Sequence, residues 1–158
     1  MAAGNSMAKF SLADPVQFLA LGFGSGLAPK APGTFGTLAA IPVYLLMALY
    51  LSPAAYAVLT VVMALAGIYI CQKAAAAAGV HDHPAIVWDE IVGYLITMFM
   101  VPLSWQAAVT GFVLFRFFDI VKPWPISIAD KKVHGGLGIM LDDVLAGIFS
   151  LIAMQLIF

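Results

Sequence analysis

The chain has 158 residues, of which 63% are hydrophobic and only 9% are charged. A soluble domain carries roughly 25% charged residues, so this chain has too little charge for a soluble surface and several segments are predicted to lie in a bilayer. The net charge is −1 and no run of Lys and Arg occurs, which argues against nucleic acid as a partner. Cys71 is the only cysteine, which excludes an internal disulfide and a cysteine-rich metal site.

Five apolar runs follow one another along the chain, separated by short polar or proline-containing segments. Each run approaches the roughly 20 residues that a helix needs to cross about 30 Å of hydrocarbon. We therefore predict a single all-α domain, a polytopic membrane helical bundle with about five spans. The predicted spans are approximately residues 35–51, 54–72, 85–101, 106–121 and 139–158.

The charged residues fall in alternate connecting segments or at the span ends beside them. With five spans, the N-terminal segment, the second loop and the fourth loop lie on one side, and all seven basic and eight acidic residues belong to that side. The positive-inside rule makes this side cytoplasmic, which places the N-terminus inside and Phe158 outside. The N-terminal segment lacks the features of a signal peptide, so insertion is expected to use the internal spans.

A glycine-rich segment, GFGSGLAPKAPGTFGT at residues 22–37, precedes the first span. Flexible backbone amides, Lys30 and the hydroxyls of Thr34 and Thr37 at the start of a helix are suited to binding an oxyanion. The spacing does not fit a nucleotide-binding GxxxxGK[ST] loop, so nucleotide binding is not implied.

Acidic residues occur at span ends as two adjacent pairs, Asp89–Glu90 and Asp142–Asp143, together with Asp119. Two carboxylates about 5 Å apart repel by about 3 kcal/mol at an effective dielectric near 20, and a divalent cation would relieve this repulsion. Oxygen ligands favour a hard cation such as Mg²⁺ or Ca²⁺ over zinc. Alternatively, these acids stabilise helix N-termini, which suits Asp89 and one of the second pair but not Asp119, near a helix C-terminus.

Arg116, Asp119 and Lys122 are spaced so that one helix face carries a cation, an acid and a cation. This arrangement suits a phosphate or carboxylate partner, the alternative being a local ion pair with Lys122 satisfying terminal carbonyls. His134, just before the second acidic pair, is a candidate for proton transfer.

Other polar and aromatic residues are predicted to be structural. The triplet His81-Asp82-His83 is interpreted as loop polarity, since neighbouring side chains point in different directions. Trp88, Trp105 and Trp124 lie near predicted span boundaries and are expected to anchor at the membrane interface.

Four sequence blocks resemble the phosphatidylglycerophosphatase A family, a family of bacterial lipid phosphatases. They are GFGSGLAPKAPGTFGT, VHDHPAIVWDEIVGY, FRFFDIVKPWPI and VHGGLGIMLDDVLAG, in that order, and the similarity spans about residues 16–150. The resemblance implies hydrolysis of phosphatidylglycerophosphate to phosphatidylglycerol and inorganic phosphate, with Mg²⁺ required, at the bacterial inner membrane among membrane lipids.

Within this expected activity, the candidate site residues are assigned three roles. Lys30, Thr34, Arg116 and Lys122 are predicted to bind phosphate. The predicted catalytic residues are Asp89, Glu90, Asp119 and His134, and the predicted metal ligands are Asp89, Glu90, Asp119, Asp142 and Asp143. An attack on phosphorus by water and an attack by a carboxylate both remain open.

Two other functions are weighed against the phosphatase. Carboxylates in apolar spans also line cation or proton paths, so a transporter is the first alternative, although the outer halves of the predicted spans hold no charge. The second alternative is a lipid-binding or assembly protein, in which Lys30 and Arg116 dock anionic head groups.

Overall fold

The computed structural model describes residues 10–79 and 83–158, and all regular structure in these residues is helical. The helices are α1 (Pro15–Ala20), α2 (Pro32–Tyr50), α3 (Pro53–Ala78), α4 (Trp88–Thr97), α5 (Trp105–Val121), α6 (Ile126–Lys132) and α7 (Gly135–Ile157), with a 3-10 turn at Ser25–Leu27. The predicted all-α class is confirmed.

Local sequence signals set several helix boundaries. Pro32 and Pro53 occupy the first position of α2 and α3, where the missing N–H would have had no intrahelical partner. The hydroxyls of Ser52 and Ser104 each accept a hydrogen bond from the amide three residues on, at 3.2 and 3.1 Å, and so cap α3 and α5. Gly79 ends α3 in the left-handed conformation, with φ at 75°.

Three of the described helices, α2, α3 and α7, are long and apolar enough to cross a membrane. The predicted span over 85–101 is helical only in α4, whose 10 residues rise about 15 Å, half of the hydrocarbon thickness. Helix α5 has 17 residues and carries Arg116 and Asp119. The predicted count of about five spans is therefore not confirmed.

Helix α4 is short, and neighbouring parts of the protein bury most of its residues. Ile91, Val92 and Leu95 are fully buried, and Trp88, predicted as an interfacial anchor, is buried too. Its indole N–H donates to the Met63 carbonyl of α3 at 3.1 Å. Hydropathy depends only on the apolar residues and not on whether lipid or neighbouring helices surround them, which explains why the predicted span is longer than α4.

The other two tryptophans differ from Trp88 in their exposure. Trp105 and Trp124 are each 73% exposed, as a residue at a membrane interface would be.

Contacts between helices define their directions. At one end, Gly33 of α2 lies against Glu90 of α4, and at the other end Tyr44 of α2 meets Tyr94 of α4, with ring centroids 5.9 Å apart. Helices α2, α4 and α7 run in one direction, whereas α3 and α5 run in the opposite direction. The C-terminal ends of α3 and α5 therefore meet the N-terminal parts of the other three helices.

Candidate active site

Three carboxylates from two helices converge where these charged helix ends meet. Asp89 and Glu90 lie in the first turn of α4, and Asp143 lies on α7. One oxygen from each side chain can be chosen so that all three atoms lie within 4.8 Å of one another. Asp89 and Asp143 are only 7% and 2% exposed, so protein rather than solvent surrounds these oxygens.

Several carboxylate oxygens at this point have no hydrogen-bond partner among the described residues. They are Asp89 Oδ1, Glu90 Oε2, Asp142 Oδ1 and Asp143 Oδ2, all buried. A buried polar atom without a partner costs about 1–3 kcal/mol, and more when it is charged. The cluster thus offers oxygen ligands for a cation, whereas several of its oxygens lack a hydrogen-bond donor among the described residues.

The helix dipole accounts for only part of this arrangement. Asp89 and Glu90 lie at a helix N-terminus, which favours a negative charge by about 0.3–1 kcal/mol. Asp142 and Asp143 lie two turns inside α7, which begins at Gly135, so stabilisation of a helix N-terminus is excluded for this pair. Repulsion between carboxylates less than 5 Å apart, about 3 kcal/mol per pair, exceeds the dipole contribution. The carboxylates need protons or a cation to neutralise them.

Two basic side chains adjoin the carboxylates. Arg116 Nη1 donates a short hydrogen bond to Asp119 Oδ2 and lies 3.9 Å from Glu90 Oε1. Lys122 Nζ lies 3.4 Å from Asp119 Oδ1 and 3.4 Å from Asp142 Oδ2. The predicted Arg-Asp-Lys face of α5 therefore lies against the acidic cluster, with Asp119 between the two cations.

Lys122 begins the left-handed turn that ends α5, with φ at 51°. Burial lowers the pKa of its ammonium group, but neighbouring carboxylates raise the pKa by more, so the net shift is upward and Lys122 stays charged at neutral pH. Those carboxylates belong to Asp143, Asp119, Asp142 and Asp130.

The first turn of α2 forms one wall of the site. A Cβ atom placed on Gly33 would lie 2.9 Å from Arg116 Nη1 and 3.1 Å from Glu90 Oε1. Glycine thus permits the guanidinium group to lie directly against the helix terminus, which is itself a favourable place for an anion. The glycine-rich segment contributes to the site through this close approach.

Other predicted phosphate-binding residues lie close in sequence to Gly33. Lys30 is exposed, and Thr34 is partly buried in the first turn of α2. Thr37 is buried, and its hydroxyl donates to the Gly33 carbonyl at 2.8 Å, so this donor is already used within the helix.

His134 is not brought into the acidic cluster. It is an exposed residue at the N-cap of α7, eight residues before Asp142, which corresponds to about 12 Å along the helix axis. Its predicted role in proton transfer stays a prediction without support from this placement.

The triplet at residues 81–83 is only partly described, because His81 and Asp82 lie outside the described residues. His83 is buried, its Nδ1 accepts a hydrogen bond from the Ala85 amide at 3.0 Å, and its ring packs edge-on against Phe10. Interpretation as exposed loop polarity is therefore wrong for His83, because its side chain orders the buried segment that leads into α4.

Sequence reasoning missed Asp130 and the glycines that bring the helices close together. Asp130 is exposed on α6, yet its carboxylate interacts with Asp142 and Lys122. Nothing in the loop sequence distinguishes Asp130 from a solvated acid. Gly33 belongs to the glycine-rich segment at residues 22–37. The sequence could not show that Gly33 is the glycine beside a charged side chain, because this depends on how α2 packs against α5.

The fold and the site together define an all-α protein with three helices long and apolar enough to cross a membrane. Acids and partly buried bases from different parts of the chain form a site suited to an anion and a divalent cation. The model of the family phosphatidylglycerophosphatase A matches residues 18–158. The chain belongs to this family.

Curated relatives agree with this assignment. The chain is 47% identical over 155 residues to phosphatidylglycerophosphatase A of Haemophilus influenzae, covering 98% of this chain and 95% of the relative. It is 47% identical over 143 residues to phosphatidylglycerophosphatase A of Escherichia coli, covering 90% and 83%. A putative phosphatidylinositol-3-phosphatase of Bacteroides thetaiotaomicron is 40% identical over 138 residues, covering 83% and 86%. No solved structure matches the chain.

Proposed function

We propose that this protein hydrolyses the terminal phosphate of phosphatidylglycerophosphate, releasing phosphatidylglycerol and inorganic phosphate. Membership of the phosphatidylglycerophosphatase A family supports the reaction and the substrate. The observation that carries the proposal is the group of partnerless carboxylate oxygens beside Arg116 and Lys122. A divalent cation would neutralise the carboxylates, and an anionic phosphate would neutralise Arg116 and Lys122.

Asp89, Glu90 and Asp143 would hold the cation, which we propose to be Mg²⁺. Their oxygens are close enough to bind one ion, and hard oxygen donors suit magnesium. When bound, the ion would offset charge on the phosphate oxygens and lower the pKa of a coordinated water. The ligands come from α4 and α7, so metal binding would also tie these two helices together.

Arg116 and Lys122 would hold the phosphate. A guanidinium group matches phosphate oxygens with two parallel N–H donors, and the first turn of α2 at Gly33 places backbone dipoles beside it. Asp119 hydrogen-bonds Arg116 and contacts Lys122, so its role in this arrangement is to position both cations. Hydrolysis forms a bond from a water oxygen to phosphorus and breaks the bond from phosphorus to the glycerol oxygen, which takes up a proton to become a hydroxyl of phosphatidylglycerol. The two cations would offset the negative charge of the other phosphate oxygens in this step.

We further propose a multi-pass protein of the bacterial inner membrane with this site on the cytoplasmic side. Three helices have the length and apolar composition of membrane spans. The described charged residues lie on helix ends that meet at one end of the bundle, or in the segments joining those ends. A lipid head group could reach such a site from the adjacent leaflet without crossing hydrocarbon.

The test is phosphate release from phosphatidylglycerophosphate by the purified protein in detergent. We expect release with Mg²⁺ and none in chelator, and Asp143→Asn to lower the rate by at least about a hundredfold because it removes a buried metal ligand. Asp14→Asn is the matched control, since Asp14 is an exposed acid that caps α1 and asparagine caps equally well. Full activity in chelator, or in Asp143→Asn, would refute the metal site.

The fold provides no support for the transporter alternative. At the bundle end opposite the site, a cavity of about 270 Å³ is lined mainly by apolar side chains, including Tyr44, Met98 and Val101. None of the residues lining this cavity is charged.

A further inference from the structure

Helices α4 and α7 cross at two glycines whose backbones nearly touch. A Cβ atom placed on Gly147 of α7 would lie 2.7 Å from the carbonyl oxygen of Gly93 on α4. A Cβ atom placed on Gly93 would lie 3.0 Å from the Asp143 carbonyl oxygen and 2.3 Å from the Phe115 ring. Both contacts include backbone atoms, which cannot move aside as the end of a flexible side chain can.

The crossing has a fixed relation to the acidic cluster. Asp89 lies four residues before Gly93, and Asp143 lies four residues before Gly147. Residues four apart share one face of a helix, and α4 and α7 run in the same direction, so both acids lie one turn from the crossing on the same side of it. The distance between the two carboxylates is therefore set by how closely the helices approach at the glycines.

We propose that Gly93 and Gly147 are positioning residues for the metal site, because their close contact holds Asp89 and Asp143 within reach of one cation. This inference rests on the metal site proposed above. The repeated spacing Asp-x-x-x-Gly, in DEIVG and DVLAG, is its sequence signature. The partnerless buried oxygens Asp89 Oδ1 and Asp143 Oδ2 are the second observation, since they lie where the crossing brings the helices together.

A methyl group at Gly147 can be accommodated only if the helices separate. We expect Gly147→Ala to weaken Mn²⁺ binding to the detergent-solubilised protein by about tenfold or more, measured by electron paramagnetic resonance, with a parallel rise in the Mg²⁺ concentration for half-maximal activity. The KM for lipid at saturating Mg²⁺ should change much less, since Arg116 and Lys122 lie on α5 and in the turn after it.

Gly111→Ala is the matched control. Gly111 is also a buried glycine inside a helix of this bundle, but a Cβ atom there would meet the Met98 sulfur at 2.4 Å, and a methionine side chain can move aside. Its Mn²⁺ affinity should stay within about twofold of the parent protein. The thermal unfolding midpoint of each variant separates loss of folding from loss of metal affinity.

Lengthening one ligand distinguishes positioning from general destabilisation. In the parent protein, Asp143→Glu should weaken Mn²⁺ binding because the longer side chain overfills the site. In Gly147→Ala the same change should strengthen Mn²⁺ binding, because the longer side chain spans the added separation. A merely destabilised protein would not show this reversal of sign.

A second pair of variants, Phe115→Leu with and without Gly93→Ala, keeps the inference testable if Gly147→Ala does not fold. Phe115→Leu removes the ring that an alanine at position 93 would meet and leaves the Asp143 carbonyl as the close contact. Gly93→Ala in that background should weaken Mn²⁺ binding several-fold relative to Phe115→Leu alone.

The outcomes separate the inference from the function that it rests on. If the parent protein binds no Mn²⁺, the proposed metal site fails and the positioning role fails with it. If the parent binds Mn²⁺ and the folded glycine variants bind it equally well, only the positioning role is overturned.

Discussion

The chemistry of individual side chains at the site depends on which acid faces which base. Asp119 lies against Arg116 and Lys122, whereas Asp89, Glu90 and Asp143 face one another. The sequence predicted Asp119 both as a catalytic residue and as a metal ligand, and set it apart from the other acids because it lies near a helix C-terminus. Asp119 contacts both basic side chains, Glu90 and Asp142 each lie within 4 Å of one of them, and Asp89 and Asp143 form no salt bridge among the described residues.

This division predicts different consequences for two Asp→Asn substitutions. Asp119→Asn should lower kcat/KM about a hundredfold, because Arg116 and Lys122 lose the carboxylate that holds them toward the phosphate. Mn²⁺ should still bind at high concentration, whereas Asp143→Asn should abolish the bound-Mn²⁺ signal. Steady-state kinetics and electron paramagnetic resonance on the same preparations measure both effects. Equal loss of Mn²⁺ binding in the two variants would make Asp119 a metal ligand instead.

At the scale of the element, the decisive feature is the short helix α4. It ends at Thr97, so the Leu95 carbonyl is among the last four and has no intrahelical partner. The Tyr56 hydroxyl of α3 donates to this carbonyl at 2.6 Å, and Gln155 of α7 donates to the Phe99 carbonyl at 3.0 Å just beyond the helix. Neighbouring helices thus satisfy the backbone where α4 stops halfway through the bundle.

Removal of one of these donors should reduce stability without altering the site. Tyr56→Phe leaves a buried carbonyl unsatisfied, which costs about 1–3 kcal/mol and lowers the thermal unfolding midpoint by a few degrees for each kcal/mol. Tyr50→Phe is the control, because Tyr50 is 78% exposed. Differential scanning measurements in detergent test the shift, and an unchanged midpoint in Tyr56→Phe would show that the hydroxyl is not needed to end α4. Mn²⁺ affinity should be the same in both variants.

At the scale of the whole molecule, the described charged residues are gathered at one end of the bundle. The acidic cluster, Arg116 and Lys122 lie at one end of the bundle, while the apolar cavity beside Tyr44 lies at the other. Because successive spans run in opposite directions, their charged ends meet only if charged and uncharged connecting segments alternate along the chain. This is the arrangement that the charge pattern of the sequence predicts.

The position of the charged residues at one end of the bundle predicts which chain segments lie on each side of the membrane, and cysteine labelling can test this topology. Cys71 is fully buried, so the parent protein should not react with a membrane-impermeant maleimide. Phe158→Cys should be labelled from the outer face of intact cells, whereas Lys131→Cys should be labelled only after the membrane is permeabilised. Labelling of Phe158→Cys solely after permeabilisation would reverse the proposed orientation.

The sequence by itself determined the class of the protein. Low charge and long apolar runs required helices in an apolar surrounding, and the four blocks that resemble phosphatidylglycerophosphatase A identified the family that the comparisons confirm. The predicted spans began at residues 35 and 54, within three residues of the helix starts at Pro32 and Pro53, where proline at the first position acts through the backbone alone. These properties depend on composition or on neighbours in sequence, which a sequence contains directly.

Only the tertiary structure decided how far α4 extends and how the acids are divided. The hydropathy of an apolar residue is the same whether lipid or protein buries it, so hydropathy could not distinguish the short internal helix from a membrane span. The sequence set Asp119 apart because a helix C-terminus does not favour an anion, but it could not show that Asp143 faces Asp89 and Glu90. Both distinctions arise from contacts between residues far apart in the chain, and the glycine crossing of α4 and α7 that sets the distance between Asp89 and Asp143 is of the same kind.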